Sequence, residues 1–253
     1  MIRSAVILCG GKGSRLGNLS KKIPKSLVRI KGKPIIWYIL KILKKNKFNH
    51  FILPIGYKGS MIKKYITNNN NFKNYNIDIV DTGIDTTIAE RIFMIKTKIL
   101  SSNFLLLNGD AIFDFNIEKI YKEHLNNKDK MTFIGCQNEL PYGTLGIKNN
   151  KIVSFDRNII FNSVNVKDEK NFRAYIYSGM SIMNTLILKQ NYKHFKNFEK
   201  SLYPLLIKKF KCKFVPLKGF WHSIDNIKDI GRIENKTNNL KYRQLVNIIK
   251  KLK

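Results

Sequence analysis

Cysteine and histidine are scarce in this chain of 253 residues, with three of the first and four of the second. The cysteines (Cys9, Cys136 and Cys212) are odd in number, far apart and set among apolar residues, and no Cys-x-x-Cys pair occurs. That pattern argues against a disulfide framework or a zinc site of ordinary spacing, and predicts a reduced, cytoplasmic protein. Imidazole chemistry has little to draw on. His50, His124 and His194 fall in ordinary helix or loop contexts, and His222 reads as structural. Long apolar runs are missing as well. None approaches bilayer length, and the first run is too short for a signal-peptide core and meets Gly10-Gly11 at once, so a soluble chain without a membrane span is expected. Linkers, internal repeats and low-complexity blocks are absent, which predicts one domain over residues 1–253.

Acidic side chains are also few: 17 Asp and Glu against 47 Lys and Arg, a formal net charge of +30. Such a balance raises the question of nucleic acid or an anionic membrane. The basic residues are mostly lysines spread along the whole length, with only short pairs such as Lys21-Lys22, Lys44-Lys45 and Lys208-Lys209. No RNA-binding aromatic signature accompanies them. The charge reads as a bias of composition that favours anionic substrates, and no specific nucleic-acid partner is expected.

What the chain does carry is concentrated near its start. Ala5 to Leu8 is a short apolar run that reads as a buried strand, and it breaks at Gly10-Gly11-Lys12-Gly13-Ser14-Arg15-Leu16. Glycines there let backbone N–H groups approach a bound anion closely. Arg15 adds a planar fork and Lys25, in Pro24-Lys25-Ser26, a point charge, both suited to phosphate oxygens. The stretch is neither a G-x-G-x-x-G fingerprint nor a P-loop, since no Gly-Lys-Ser/Thr closes it.

Further along, strand and helix patterns alternate. Pro34 to Leu43 reads as a helix with Pro34 in its first turn, Phe51 to Ile55 as a strand, and Ser60 to Ile66 as a helix. Asn68 to Asn76 reads as an exposed loop, Ile77 to Val80 as a strand, Ile88 to Ile99 as a helix and Phe104 to Leu107 as a strand ending at Asn108-Gly109-Asp110. The second half reads as strands at 131–135, 143–148, 151–155, 174–183 and 212–217, with an Asn149-Asn150 hairpin turn and a polar loop from Asn158 to Asn171. Helices are expected at 197–210, 225–235 and 240–252. The alternation predicts an α/β fold with a mostly parallel sheet flanked by crossover helices. Residues 1–130 would form a nucleotide half, 131–236 an acceptor half and 237–253 a terminal helix.

In such sheets ligands bind beyond the carboxyl ends of the strands, so the Gly10–Arg15 loop and Asp110 should face one crevice. A carboxylate beside a glycine at a strand end suits a hard cation. A second carboxylate, Asp225, follows Trp221 by four positions and could also cap the helix after it.

Gly-Gly-x-Gly-Ser-Arg-Leu followed by Pro-Lys resembles the signature of the sugar-phosphate nucleotidyltransferases. Lys31 to Ile39, Gly56-Tyr57-Lys58-Gly59, Val80-Asp81-Thr82-Gly83 with Arg91 downstream, and Phe220-Trp221 with Asp225 are similar to the glucose-1-phosphate cytidylyltransferase group. The resemblance spans roughly Ile2 to Glu234 and implies a Rossmann-like, glycosyltransferase-A-like fold. It implies catalysis by Arg15, Lys25 and Asp110, a nucleotide held by Gly10, Gly11, Gly13, Ser14, Arg15, Lys25, Arg91 and Gly109, and Mg²⁺ on Asp110 and Asp225. It further implies an acceptor phosphomonoester held by Gly143, Asp156, Arg157, Tyr177 and Trp221. The chain departs from the pattern where Thr-Gly-Gly-Arg becomes Ile88-Ala89-Glu90-Arg91 and where Glu-Lys-Pro becomes Asp156-Arg157-Asn158. Tyr177 replaces the usual Asn before Ser178-Gly179.

The implied reaction is in-line attack of a phosphomonoester oxygen on the α-phosphate of CTP, with pyrophosphate leaving. The nucleophile is already an anion, so positioning and charge neutralisation suffice. Guanylyl, uridylyl or thymidylyl transfer stays open, as does transfer of CMP to a non-sugar phosphate, a non-catalytic nucleotide-binding subunit, a basic nucleic-acid-binding protein, and homo-oligomerisation through the later segments.

Overall fold

Alternating burial along the first strand fixes where the two halves of the core lie. Ala5 and Ile7 point to one side and Val6 to the other, and all three are fully buried. The computed structural model describes residues 1–136, 144–148, 151–156, 175–192, 194–236 and 240–252, with side chains at 144–148 and 153–156 outside the description. The strands are β1 (Ser4–Leu8), β2 (Arg29–Ile30), β3 (Lys33–Pro34), β4 (His50–Ile55), β5 (Asn76–Asp81), β6 (Asn103–Asn108), β7 (Ala111–Asp114), β8 (Met131–Cys136), β9 (Thr144–Lys148), β10 (Lys151–Asp156), β11 (Ile176–Asn184), β12 (Cys212–Pro216) and β13 (Phe220–Ser223). The α-helices are α1 (Asn18–Lys22), α2 (Ile35–Lys45), α3 (Gly59–Thr67), α4 (Ile88–Met94), α5 (Ile117–Asn126), α6 (Tyr203–Lys209), α7 (Ile227–Glu234) and α8 (Leu240–Leu252).

Seven strands form the central sheet in the order β12-β8-β11-β6-β1-β4-β5. Every neighbouring pair is parallel except those made by β11, which runs against both β6 and β8. The fold is therefore the mixed α/β kind with a mostly parallel sheet flanked by helices. One face packs on α2, α3, α5 and α8, the other on α4 and α6. α2 is buried nearly all round, from Ile35 to Leu43, which its Ile-, Leu- and Trp-rich sequence requires. Among the described residues no helix is long and apolar enough to cross a membrane.

Several elements differ from the sequence expectation. Pro34 ends β3 with an extended backbone and caps α2 rather than standing inside it. The Asn-rich stretch makes a 3₁₀ turn at Asn70–Phe72 and buries Phe72 against the core, so it is not simply an exposed loop. The helix from Ile88 stops at Met94, with a separate turn at Lys96–Lys98. The helix expected from Asn197 is a π turn, Phe198–Leu202, running into α6. α5, β7 and β13 are not among the expected elements, although α5 sets Ile117, Ile120, Tyr121 and His124 on one buried face at helical spacing. The Asn149-Asn150 turn and the Asn158–Asn171 loop lie outside the described residues, although β9 and β10 do pair antiparallel.

Candidate active site

One cleft of about 750 Å³ opens at the carboxyl ends of β1 and β6. Because β11 runs the opposite way, its amino end reaches the same edge and adds Tyr177, Ser178 and Gly179 to the wall. Gly10, Gly11, Gly13, Ser14, Arg15, Lys25, Arg91, Gly109, Asp110, Trp221 and Asp225 all line this cleft. Gly143 and Arg157 lie outside the described residues. Asp156 closes β10, and only its backbone is described.

The two carboxylates meet through a small second sheet. β7 follows Asp110 directly and pairs antiparallel with β13, matching Ser223 to Ala111. One residue further, the Ile224 amide donates to the Asp110 carbonyl at 2.9 Å. Residues 115 apart in sequence are thereby set side by side at the cleft floor. Gly109 lets the chain leaving β6 lie close against the end of β1: its amide donates to the Leu8 carbonyl at 3.1 Å, and a Cβ there would press on that oxygen at 2.8 Å and on Cys9 Sγ at 3.0 Å. Asp225 does not cap α7. Asn226 does so, forming a capping box with Asp229, and the Asp229 carboxylate also accepts from the Asp225 amide at 2.8 Å.

Lys25 Nζ lies between the carboxylates, 2.8 Å from Asp110 Oδ2 and 2.9 Å from Asp225 Oδ1. Burial works against the charge of this ammonium, but Asp110 and then Asp225 outweigh it, and the Lys25 pKa sits above the ordinary lysine value. Asp225 is also desolvated, yet hydrogen bonds from Lys25 and from Ser223 Oγ (2.8 Å) hold it below the usual carboxylate value. Arg15 reaches Asp225 only at 3.4 Å and keeps a 79% exposed side chain, free to turn onto a ligand. Across the mouth, Lys12 pairs with Asp85 at 2.8 Å.

Two expected contact residues have their donors committed elsewhere. Trp221 Nε1 donates to the Ser178 carbonyl at 3.0 Å, tying β13 to β11. Arg91 is 4% exposed, and its guanidinium donates to the carbonyls of Ile55, Gly10 and Ile84 (3.2 Å each) and to Thr82 Oγ1. Tyr177 Oη pairs with Tyr203 Oη at 2.8 Å, and burial pushes its pKa up to about 12. His222 is buried, with its Nε2 at 3.0 Å from the Asp229 carbonyl oxygen. Sequence reading missed Ser223, Asp85, Thr86, Glu199 and Ser178. Ser223, two positions before Asp225, is the one that spacing alone could have suggested.

Known proteins resemble this chain in sequence and in fold. The chain is 34% identical over 170 residues to the probable glucose-1-phosphate cytidylyltransferase of Bacillus subtilis strain 168, covering 60% of this chain and 67% of the relative. It is 30% identical over 153 residues to the D-glycero-alpha-D-manno-heptose 1-phosphate guanylyltransferase of Aneurinibacillus thermoaerophilus, covering 60% and 66%. The crystal structure of HddC from Yersinia pseudotuberculosis superposes with a TM-score of 0.70 at 24% identity, over 91% of this chain and 97% of that one. The pattern of the nucleotidyl transferase family matches residues 4–157, and the chain belongs to that family.

Proposed function

We propose that the chain transfers CMP from CTP to a modified sugar 1-phosphate, releasing pyrophosphate and yielding an activated sugar for surface-glycan synthesis. The observation that carries this reading is the convergence of Asp110 and Asp225 on one cation, Lys25, at the open end of the glycine loop. An oxygen of the acceptor phosphate attacks the α-phosphorus in line. The bond from that phosphorus to the β-bridging oxygen breaks, and the electron pair leaves with pyrophosphate. Glycine-loop amides cradle the phosphates, Lys25 supplies a fixed positive charge, and exposed Arg15 closes onto the reacting groups as charge spreads.

The donor set suits Mg²⁺. Two carboxylates already share one cation, and no larger group of His, Cys, Asp or Glu surrounds them among the described residues. Phosphate oxygens and water would complete the shell, as is usual for this ion. Bound there on Asp110 and Asp225, Mg²⁺ would neutralise charge developing on the phosphates.

CTP is favoured by the motifs shared with the cytidylyltransferase group and by the Bacillus relative's description. GTP is the second reading, since a guanylyltransferase is similar over a comparable length. On the acceptor side a second cavity of about 650 Å³ shares Ile176, Tyr177 and Glu199 with the cleft. Phe133, Tyr175, Tyr203 and Phe214 line it, and no lysine or arginine does among the described residues. Room of that character supports an acceptor whose end remote from the phosphate is less polar than glucose, such as a deoxy or acylated sugar, or a non-sugar phosphomonoester.

Pyrophosphate release from CTP, GTP, UTP and dTTP against a panel of phosphomonoesters tests the reading. CTP with a modified sugar 1-phosphate should be used best. Preference for GTP would replace the donor, and glucose 1-phosphate above every alternative would remove the role given to the second cavity. Asp110→Asn should lower turnover about a thousandfold while leaving the fold intact, in line with loss of a central electrostatic group.

A further inference from the structure

Arg91 is the most heavily committed cation in the described structure, and none of the acceptors found for its guanidinium is a carboxylate. Its four bonds reach three separate segments: the Gly10 carbonyl in the loop after β1, the Ile55 carbonyl at the end of β4, and Thr82 with Ile84 in the loop after β5. A socket has been cleared for it. A Cβ on Gly10 would overlap the guanidinium, and a Cβ on Gly56 would come within 2.7 and 3.0 Å of its two terminal nitrogens. At Gly56 the Gly83 carbonyl would be closer still, at 2.3 Å, so that glycine admits both the loop after β5 and the guanidinium.

The Gly10 carbonyl is the critical contact. It accepts from Arg91 Nη2 at 3.2 Å and from the Tyr57 amide at 3.1 Å. All peptide bonds described are trans, so the N–H of the next residue points opposite to that carbonyl. With the Gly10 carbonyl drawn inward, the Gly11 N–H is turned away from Arg91, and Gly11 lines the cleft. The same guanidinium holds Ile84 and Thr82, whose loop forms the facing wall of the cleft through Ile84, Asp85 and Thr86.

We infer that Arg91 is a positioning residue that never touches the nucleotide, but turns the Gly11 amide toward the phosphates and fixes the spacing between the glycine loop and the opposite wall. This rests on the reading of the glycine loop as the triphosphate cradle. It differs from a direct contact between Arg91 and the base, because the two assign the residue to different parts of the ligand.

Inorganic tripolyphosphate separates them. Arg91→Lys keeps a charge and up to three donors but loses the planar fork that serves three segments at once. Binding of CTP and of tripolyphosphate to the wild type and to Arg91→Lys is measured by calorimetry, with urea unfolding run in parallel. Both ligands should weaken by a similar factor, about tenfold or more given the strength of charge-assisted bonds. CTP weakened with tripolyphosphate unchanged would overturn the inference in favour of a base contact. Both ligands unchanged would reduce Arg91 to a purely structural role. Should Arg91→Lys fail to fold, Thr82→Val removes one partner of the guanidinium without removing the cation, and the same equal weakening, smaller in size, is expected. If the wild type binds neither CTP nor tripolyphosphate, the cradle reading itself fails, an outcome distinct from the others.

Discussion

Arg15 and Lys25 look alike in the sequence, two basic residues after a glycine loop, but the structure gives them different resting states. Lys25 is 17% exposed and held by two carboxylates; Arg15 is 79% exposed with one contact at 3.4 Å. Exposed pairs of that kind contribute little to stability. Arg15→Ala should therefore leave the unfolding free energy from urea titration within about 0.5 kcal/mol of wild type, the usual range for surface changes. It should lower kcat more than it weakens nucleotide binding, because the side chain is engaged only as charge develops. Weaker binding at unchanged kcat would recast Arg15 as a ground-state anchor. His124 supplies a second residue-scale prediction. It is 1% exposed, with Nδ1 on Thr132 Oγ1 at 2.8 Å and Nε2 on Asn103 Oδ1 at 3.0 Å. Burial, opposed by Asp129, lowers its pKa from 6.5 to about 4. The folded value lies below the unfolded one, so stability is complete above pH 6.5 and drains away as pH falls toward 4. By pH 5 the loss attributable to this group is about 2 kcal/mol from the size of that shift. The drop in unfolding free energy from pH 7 to pH 5 should be smaller by about that amount in His124→Gln, and an equal drop in both proteins would clear His124 of the effect.

At the scale of elements, legibility follows burial. β1, β4, β6 and α8 lie at or within a residue or two of the expected places, because continuous apolar runs and a helical stripe declare themselves. β7 and β13 do not. They are four residues each, and their meaning lies in pairing across more than a hundred positions, which no local period encodes. The direction of β11 was equally hidden, since its run of buried residues, Ser178 to Met183, reads the same either way. The motif residues could be named in advance, but not the pairing that sets Asp110 beside Asp225, nor the backbone carbonyls to which Arg91 and Trp221 donate. Asp225 depends on the start of α7 in the same hidden manner. Asp229 accepts from the amides of both Asp225 (2.8 Å) and Asn226 (2.9 Å), so the cap that begins the helix also orients the site carboxylate. Asp229→Ala should cost about 1 kcal/mol of stability, typical of a lost cap. It should also reduce turnover disproportionately, about tenfold or more, if Asp225 shifts from Lys25. Turnover falling no further than the folded fraction falls would confine Asp229 to capping.

Across the whole molecule the dominant quantity is charge. The chain carries 47 basic and 17 acidic residues, and two of those few acids, Asp110 and Asp225, stand together in the cleft. Lysines along the surface have few partners of opposite sign to meet, and among the described residues some ammonium groups rest over aromatic rings, as Lys31 does over Tyr242 and Lys44 over Tyr75. A field of this sign draws a polyphosphate toward the molecule from any side, whereas recognition is confined to the cleft. The two contributions respond differently to salt. Long-range attraction fades as the Debye length shrinks to about 8 Å at physiological ionic strength, while contacts made inside a partly desolvated cleft persist. kcat/KM for the nucleotide should therefore fall with added salt while kcat stays nearly level. Duplex DNA, having no cleft to enter, should bind only through its phosphates, with log affinity falling linearly against log salt and nearly vanishing by about 0.15 M. Gel shifts and steady-state kinetics over one salt series read both slopes. DNA binding that resists salt and prefers one sequence would mean that the lysines are organised for nucleic acid, and the surface, rather than the cleft alone, would then carry a specific function.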